Sequence, residues 1–174
     1  KLYKVTGYLE KDPEDDEFET PLSSKNDVEG LCYDEENNRL LLALKGRSDI
    51  DDDLKGEKKS VFAFDLSEEK LSKSPVLIID VDAIEERADQ NLKFEPSGIA
   101  IHPITREHYI ISSVGKLMVI LDEQGNFVKA KKLSVNKDFK QPEGICFAPD
   151  GTLFISNEGR GGKGNVLQFN YQAK

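Results

Sequence analysis

The chain has 174 residues, a formal net charge of −9 at pH 7 and a sequence pI of about 4.8. Its length allows one ordinary hydrophobic core. The acidic charge excludes a typical nucleic-acid-binding role, because phosphate contacts need clustered Lys and Arg, and it favours cations or basic partners. No segment approaches the ~20 apolar residues of a membrane span. The chain begins at Lys1 rather than Met, so we expect a processed form or a piece of a longer protein.

The N-terminal part predicts a strand, a loop and then a first repeat unit. Alternation over residues 2–9 predicts a strand, and the acidic stretch 11–19, which contains Pro13, predicts a loop. The first unit covers residues 27–81. Its predicted strands are 28–34, 39–45, 60–66 and 76–81, with an acidic insertion at 47–59.

A short helix is predicted next, over 82–91, with Asp82 as its N-cap. Two further units follow it, at 96–133 and 142–171. The predicted strands of these units are 97–102, 108–113, 117–122 and 127–133, and then 143–148, 152–157 and 165–171. The spacing of Lys129, Lys131 and Lys132 fits the outward, solvated face of a strand.

The three units share one pattern, which is a Gly at the second or third position of the first strand and a second Gly after the second strand. These glycines are Gly30, Gly98 and Gly144, followed by Gly46, Gly115 and Gly159. Four short antiparallel strands in about 40 residues are typical of a propeller blade. We therefore predict an all-β fold, a β-propeller of four-stranded antiparallel blades, as a single domain over 1–174 with about three recognisable blades.

Three blades do not close a ring, because propellers typically have four to eight. The strand at 2–9 either completes the last blade or belongs to a preceding one. Two explanations of the deficit stay open: further blades lie outside this chain, or two chains assemble into one ring as a homo-oligomer.

The residue before the first glycine of each unit is the first candidate site. These residues are Glu29, Ser97 and Glu143, and the first strand of a blade lines the central channel. Two carboxylates and a hydroxyl at one rim predict oxygen ligands for a divalent cation, with Glu29 and Glu143 as metal ligands. The alternative is that each side chain caps backbone groups in the entering loop.

The glycine-rich segment 157–164 is the second candidate. Asn157, Glu158 and Arg160 lie on its leading edge, and Arg47 stands at the matching edge of the first unit. As ligand-binding residues they would take a small molecule, with Arg160 holding an anion. The alternative is a plain hairpin connection, since the segment lacks a phosphate-loop pattern.

The acidic insertion is the third candidate, because Asp49, Asp51 and Asp53 match the first three ligand positions of an EF-hand loop. Leu54 and Ser60 stand where that loop needs its Gly and its Glu, so the alternative is a solvated acidic loop. The two cysteines, Cys32 and Cys146, occupy equivalent strand positions and are predicted to be buried free thiols. His102 and His108 bracket a surface hairpin without a nearby nucleophile, so we expect no catalytic pair there.

The segments 29–34, 143–151 and 153–158 resemble the SdiA-regulated family of bacterial β-propellers and, more loosely, NHL-type and gluconolactonase-like propellers. This resemblance implies an extracytoplasmic location, calcium as the bound ion and no settled activity. We expect a non-catalytic module that binds a small molecule or a protein. The alternative function is a metal-dependent hydrolase of the lactonase or phosphoesterase kind, built on the channel rim.

Overall fold

The computed structural model describes residues 1–47, 57–88, 93–133 and 138–173, without the side chains of residues 87 and 88. These residues form antiparallel strands in four sheets, together with one short helix. The all-β prediction is therefore confirmed. No helix in the described part of the chain has both the length and the apolar character needed to cross a membrane.

The N-terminus is a two-stranded hairpin of β1 (Leu2–Thr6) and β2 (Glu14–Phe18). The predicted loop is therefore wrong over β2. Its sequence is almost entirely acidic, which disfavours a strand by propensity. However, Lys4 on β1 and Lys1, which precedes β1, form ion pairs with acidic residues in and next to β2. The Phe18 ring packs edge-on against Phe64 of the first unit, with the ring centroids 5.7 Å apart.

The first unit has a split outer strand. It consists of β3 (Val28–Asp34), β4 (Arg39–Leu44), β5 (Lys58–Asp65), β6 (Lys70–Leu71) and β7 (Leu77–Asp80). Both β6 and β7 pair with β5, one at each of its ends. The predicted fourth strand corresponds to β7, and β6 was not predicted because it is only two residues long.

Helix α1 (Val81–Ala88) follows directly and confirms the predicted helix. Its N-cap prediction is wrong by two residues. The Asp80 Oδ1 accepts the backbone N–H of Ala83 at 3.0 Å, whereas Asp82 accepts the N–H of Glu57. Asp80 therefore satisfies the first turn of the helix while it also ends β7.

The second and third units follow the predicted strand pattern. The second is the meander β8 (Pro96–Ile101), β9 (His108–Ser112), β10 (Leu117–Leu121) and β11 (Phe127–Lys132). The third is β12 (Pro142–Phe147), β13 (Leu153–Asn157) and β14 (Asn165–Phe169). In both, neighbouring strands in sequence pair in space.

The three units stack in chain order around two hydrophobic cores. One core joins units 1 and 2 and includes Leu41 and Ile110, and the other joins units 2 and 3 and includes Ile111 and Ile155. Unit 2 is thus covered on both faces. The first strands of the units, β3, β8 and β12, lie side by side, as they do around a propeller channel.

The first glycine of the repeat lets these first strands approach one another. A Cβ built on Gly98 would lie 3.0 Å from the carbonyl oxygen of Glu143 on β12. A larger side chain there would push unit 3 away from unit 2. The glycine that marks the repeat in the sequence is therefore a packing requirement between blades.

The cysteine prediction is half right. Both thiols are free, but Cys32 is only partly buried and Cys146 is exposed. Burial raises the pKa of the Cys32 thiol, which packs against the core shared with unit 2. Cys146 lies on the face of unit 3 that points away from unit 2, so equivalent positions in the repeat have different surroundings.

Candidate functional site

Each first strand has a bulge at the same place, and the bulged residues are Glu29, Ser97 and Glu143. The pairing register shifts between Val28 and Gly30, and it shifts at the equivalent steps of β8 and β12. A bulge leaves one residue without a partner across the ladder and re-aims its side chain. The predicted coincidence of these three positions is thus a backbone feature repeated in every unit.

In unit 1, the bulged carboxylate is already neutralised. Lys45 Nζ lies 2.9 Å from Glu29 Oε1 and 3.9 Å from the carboxylate of Asp27. The hydrogen bond to Glu29 raises the pKa of Lys45. Arg47 follows on the same turn and is exposed. Its backbone carbonyl accepts a hydrogen bond from the Asn26 side chain.

In unit 2, the bulged residue is a structural clasp. Ser97 is buried, and its hydroxyl donates to the carbonyl of Pro142 at 2.8 Å. The capping alternative therefore describes Ser97, which ties β8 to β12.

In unit 3, the predicted residues come together in what we call the unit-3 corner, formed by Gln141, Glu143, Asn157, Glu158 and Arg160. Gln141 Nε2 donates to Glu143 Oε1 at 2.6 Å, and Arg160 Nε donates to Gln141 Oε1 at 2.6 Å. The backbone N–H of Glu158 donates to the Gln141 carbonyl. Sequence reasoning missed Gln141, although its place just before Pro142 marks it as the entry to the strand.

Asn157 carries the most informative feature of the corner. It is only 6% exposed, and its Nδ2 donates to Asn165 Oδ1, while Asn165 Nδ2 donates to the Asp138 carbonyl, both at 2.9 Å. Because a backbone carbonyl only accepts, this chain of bonds fixes which atom of Asn157 is the oxygen. That Oδ1 is buried and has no hydrogen-bond partner among the described residues.

The equivalent position in unit 2 shows what this oxygen lacks. Ser112 stands opposite Pro96 as Asn157 stands opposite Pro142, and its hydroxyl oxygen accepts the backbone N–H of Glu95 at 3.0 Å. A buried acceptor without a donor costs about 1–3 kcal/mol. The unit-3 corner therefore contains a buried acceptor that has no donor among the described residues.

The other predicted metal ligands lie outside the described residues, namely Asp49, Asp51 and Asp53. Within the described ranges, no three or more Asp, Glu, His and Cys side chains form a group that could hold a metal ion. A cation held by the described residues of the rim would therefore use amide, carbonyl or water oxygens as well as carboxylates.

The opposite end of the units contains an ion network that the sequence analysis did not predict. Asp34 is buried at the end of β3 and accepts hydrogen bonds from Arg39 Nε at 2.8 Å and Arg106 Nη2 at 2.9 Å. Asn37 is a third donor, at 2.8 Å. Burial pushes the pKa of Asp34 upward, but these hydrogen bonds outweigh it and the pKa is lowered. Since Arg106 belongs to unit 2, the network fastens units 1 and 2 together.

Both histidines also lie at this end, away from the bulges. His102 Nδ1 accepts the backbone N–H groups of Ile104 and Thr105, each at 3.2 Å, and His108 Nδ1 lies 3.1 Å from the Asp122 carbonyl oxygen. Burial lowers the pKa of both side chains. They are thus neutral structural groups at neutral pH.

The buried His108 predicts a pH dependence of stability. Its folded pKa lies below the usual value of 6.5, so its contribution is complete above pH 6.5 and is lost as the pH falls below it. Each unit of lowering corresponds to about 1.4 kcal/mol. The free energy of unfolding, measured with urea, should fall less between pH 7.5 and pH 5.5 for His108→Gln than for the wild type. His108 also faces the charges of Asp34, Arg39 and Arg106. An equal loss in the variant and the wild type would contradict this assignment, because the pH dependence would then come from groups other than His108.

Comparisons with known proteins agree with the fold. The sequence profile of the SdiA-regulated family matches residues 9–160. The chain is similar to a luciferin-regenerating enzyme, with 14% identity and a TM-score of 0.55, over 83% of this chain and 45% of that one. It is also similar to a streptogramin B lyase, with 10% identity and a TM-score of 0.52, over 99% and 46%. Hydrazine synthase from Kuenenia stuttgartiensis has 15% identity and a TM-score of 0.50, over 79% and 31%.

At these identities the likeness shows the fold alone, and the chain spans less than half the length of each of these three structures. No curated protein matches the chain in sequence. The units are therefore blades of a β-propeller, as the strand repeat predicted. Because the family profile covers most of its length, this chain belongs to the SdiA-regulated family.

Proposed function

We propose that the chain is a non-catalytic binding module and that it holds a calcium ion at the unit-3 corner. The observation that carries this proposal is the buried, unpaired Oδ1 of Asn157, because amide oxygens are ligands that calcium prefers. Glu143, the bulged residue beside the proline that faces Asn157, supplies a carboxylate. Glu158 follows Asn157 and adds a second negative charge.

The residues of this corner fit an open calcium site rather than a closed one. Calcium takes six to eight oxygen ligands, and the two or three side chains here leave positions for water or for the oxygens of a bound molecule. Arg160 donates a hydrogen bond to Gln141, and its positive charge would lie beside an anionic group of that molecule. Glu29 does not fit as a ligand, since Lys45 already neutralises it.

This sparse ligand set suits a weak site. Calcium sites of extracellular modules bind with Kd values of about 10⁻⁴–10⁻³ M, which is consistent with the extracytoplasmic location that the family resemblance implies. Hydrolysis is the weaker candidate, because it needs an acid–base group beside the metal. Both histidines of the chain lie at the other end of the blades.

The test is the response of thermal unfolding to calcium. At ten times Kd the ion should stabilise the wild type by about 1.4 kcal/mol, which raises Tm by roughly 3–5 °C. Glu143→Gln should lose this response. Of the two principal ligands, Asn157 and Glu143, only Glu143 carries a full negative charge. Scanning fluorimetry with calcium, and with magnesium as the ion control, measures the shift.

Glu29→Gln is the matched control, since it changes the equivalent bulged residue of unit 1. It should keep the full calcium response. An equal loss of the response in both variants would show that calcium binding depends on the whole rim rather than on the unit-3 corner. The absence of a calcium response in the wild type would contradict the proposed site.

A further inference from the structure

A second recess, far from the bulges, opens between units 2 and 3. It has a volume of about 250 Å³, and we call it the aromatic cleft. Four rings form one side of it, with His102 4.8 Å from Phe147 and 4.8 Å from Tyr171, and with Tyr109 5.0 Å from Phe147 between ring centroids. Aliphatic and sulfur-containing side chains also line it, namely Met118, Ile120 and Leu153.

Two lysines line the same cleft. In the β10–β11 pairing, Lys129 is opposite Ile120 and Lys131 is opposite Met118, and residues that face each other across strands point to the same side of the sheet. As predicted, all three lysines are exposed, but Lys132 is opposite Leu117 and therefore lies on the other side of the sheet from Lys129 and Lys131.

The cleft lysines have no anionic partner within the part of the chain that the structure describes. Two residues apart on one strand, their stems are about 7 Å apart, so their charges repel each other. Glu107 is the nearest carboxylate to the aromatic side, since it accepts hydrogen bonds from Thr105 and from Tyr109, but it is not part of the lining. An anion placed between Lys129 and Lys131 would relieve the repulsion.

The aromatic side offers both an apolar surface and a donor. Since His102 Nδ1 accepts two backbone N–H groups, the proton of its neutral ring is on Nε2. Tyr171 is 36% exposed and stands at the mouth of the cleft. A planar ring can therefore enter from solvent and pack against other rings, which contributes about 0.5–1.5 kcal/mol per ring pair.

From this arrangement we propose that the aromatic cleft binds a small aromatic carboxylate. Its ring packs among Tyr109, Phe147 and Tyr171, and its carboxylate lies between Lys129 and Lys131. The volume suits a molecule of one or two rings. A protein with a net charge of −9 repels anions at long range. The local preference of this cleft for an anion therefore depends on Lys129 and Lys131.

The experiment compares indole-3-carboxylate with its uncharged analogue indole-3-carboxamide, by calorimetry and ligand-observed NMR on the whole chain. The carboxylate should bind at least tenfold more tightly. The double variant Lys129→Gln/Lys131→Gln should lose at least tenfold of this affinity, and Tyr171→Leu should weaken binding several-fold. Lys132→Gln is the matched control, on the same strand and the other face, and should change affinity less than twofold.

Three results would overturn the proposal. They are the absence of carboxylate binding at millimolar concentration, equal binding of the carboxamide, and an equal effect of Lys132→Gln. A dimer seen by light scattering whose dissociation is needed for binding would assign the cleft to a second copy instead. Glu143→Gln should leave carboxylate binding intact, so this test is independent of the calcium proposal.

Discussion

Replacing Asp34 with Asn should lower the free energy of unfolding by about 3 kcal/mol, the largest effect we expect from a single charged residue. The side chain of Asp34 is 2% exposed, and the side chains of Arg39 and Arg106 are 29% and 24% exposed. The substitution would leave two partly buried guanidinium groups beside each other without their shared anion. Because Arg106 comes from unit 2, both the first unit and its contact with the second should loosen.

Glu36→Gln is the control for this experiment. Glu36 also pairs with Arg106, at 3.1 Å, but its side chain is 61% exposed, and such surface pairs contribute at most about 1 kcal/mol. Urea unfolding at pH 7 measures both variants. If Asp34→Asn were no more destabilising than Glu36→Gln, the network would not hold the two units together.

Gly115→Ala should lower Tm by roughly 5–10 °C, which corresponds to about 2–3 kcal/mol. A Cβ on Gly115 would lie 2.2 Å from the carbonyl oxygen of Lys93, in the segment that enters unit 2. Since that atom belongs to the backbone, the whole entering segment must move. Gly46→Ala should have a similar effect, because its Cβ would lie 2.2 Å from the Lys25 carbonyl oxygen at the entry to unit 1.

Gly162→Ala is the control within the glycine-rich loop. There the closest atom to a new Cβ is the flexible Lys140 Nζ, at 3.3 Å, so we expect a change in Tm of about 2 °C or less, in either direction. A loss equal to that of Gly115→Ala would show that any added methyl group destabilises this chain, regardless of the close approach at the blade entry.

The glycine pattern predicted part of the fold and part of the candidate site. It predicted the strands of units 2 and 3 and the equivalence of Glu29, Ser97 and Glu143, because alternating apolar residues and close strand contacts leave a local signal. The match of the second glycines is only partial. Gly46 and Gly115 face an entering segment, whereas Gly159 faces Gly162 of its own loop.

The errors share a physical cause, since each depended on a neighbour distant in sequence. Acidic β2 is a strand because Lys1 and Lys4, at the start of the chain, pair with its carboxylates. Cys146 is exposed because its face of unit 3 is turned away from unit 2. Lys129 and Lys131 face the aromatic cleft because of the β10–β11 register. None of these partners is visible in the local pattern of residues.

The sequence by itself determined the architecture of this protein, three repeated antiparallel units with a glycine where neighbouring first strands meet. The tertiary structure decided which of the equivalent side chains are available. Glu29 is neutralised by Lys45, Ser97 is bound to Pro142, and Asn157 is left with an unpaired buried oxygen. Repetition fixes where side chains lie, but the availability of each one depends on the hydrogen bonds and charges that folding places around it.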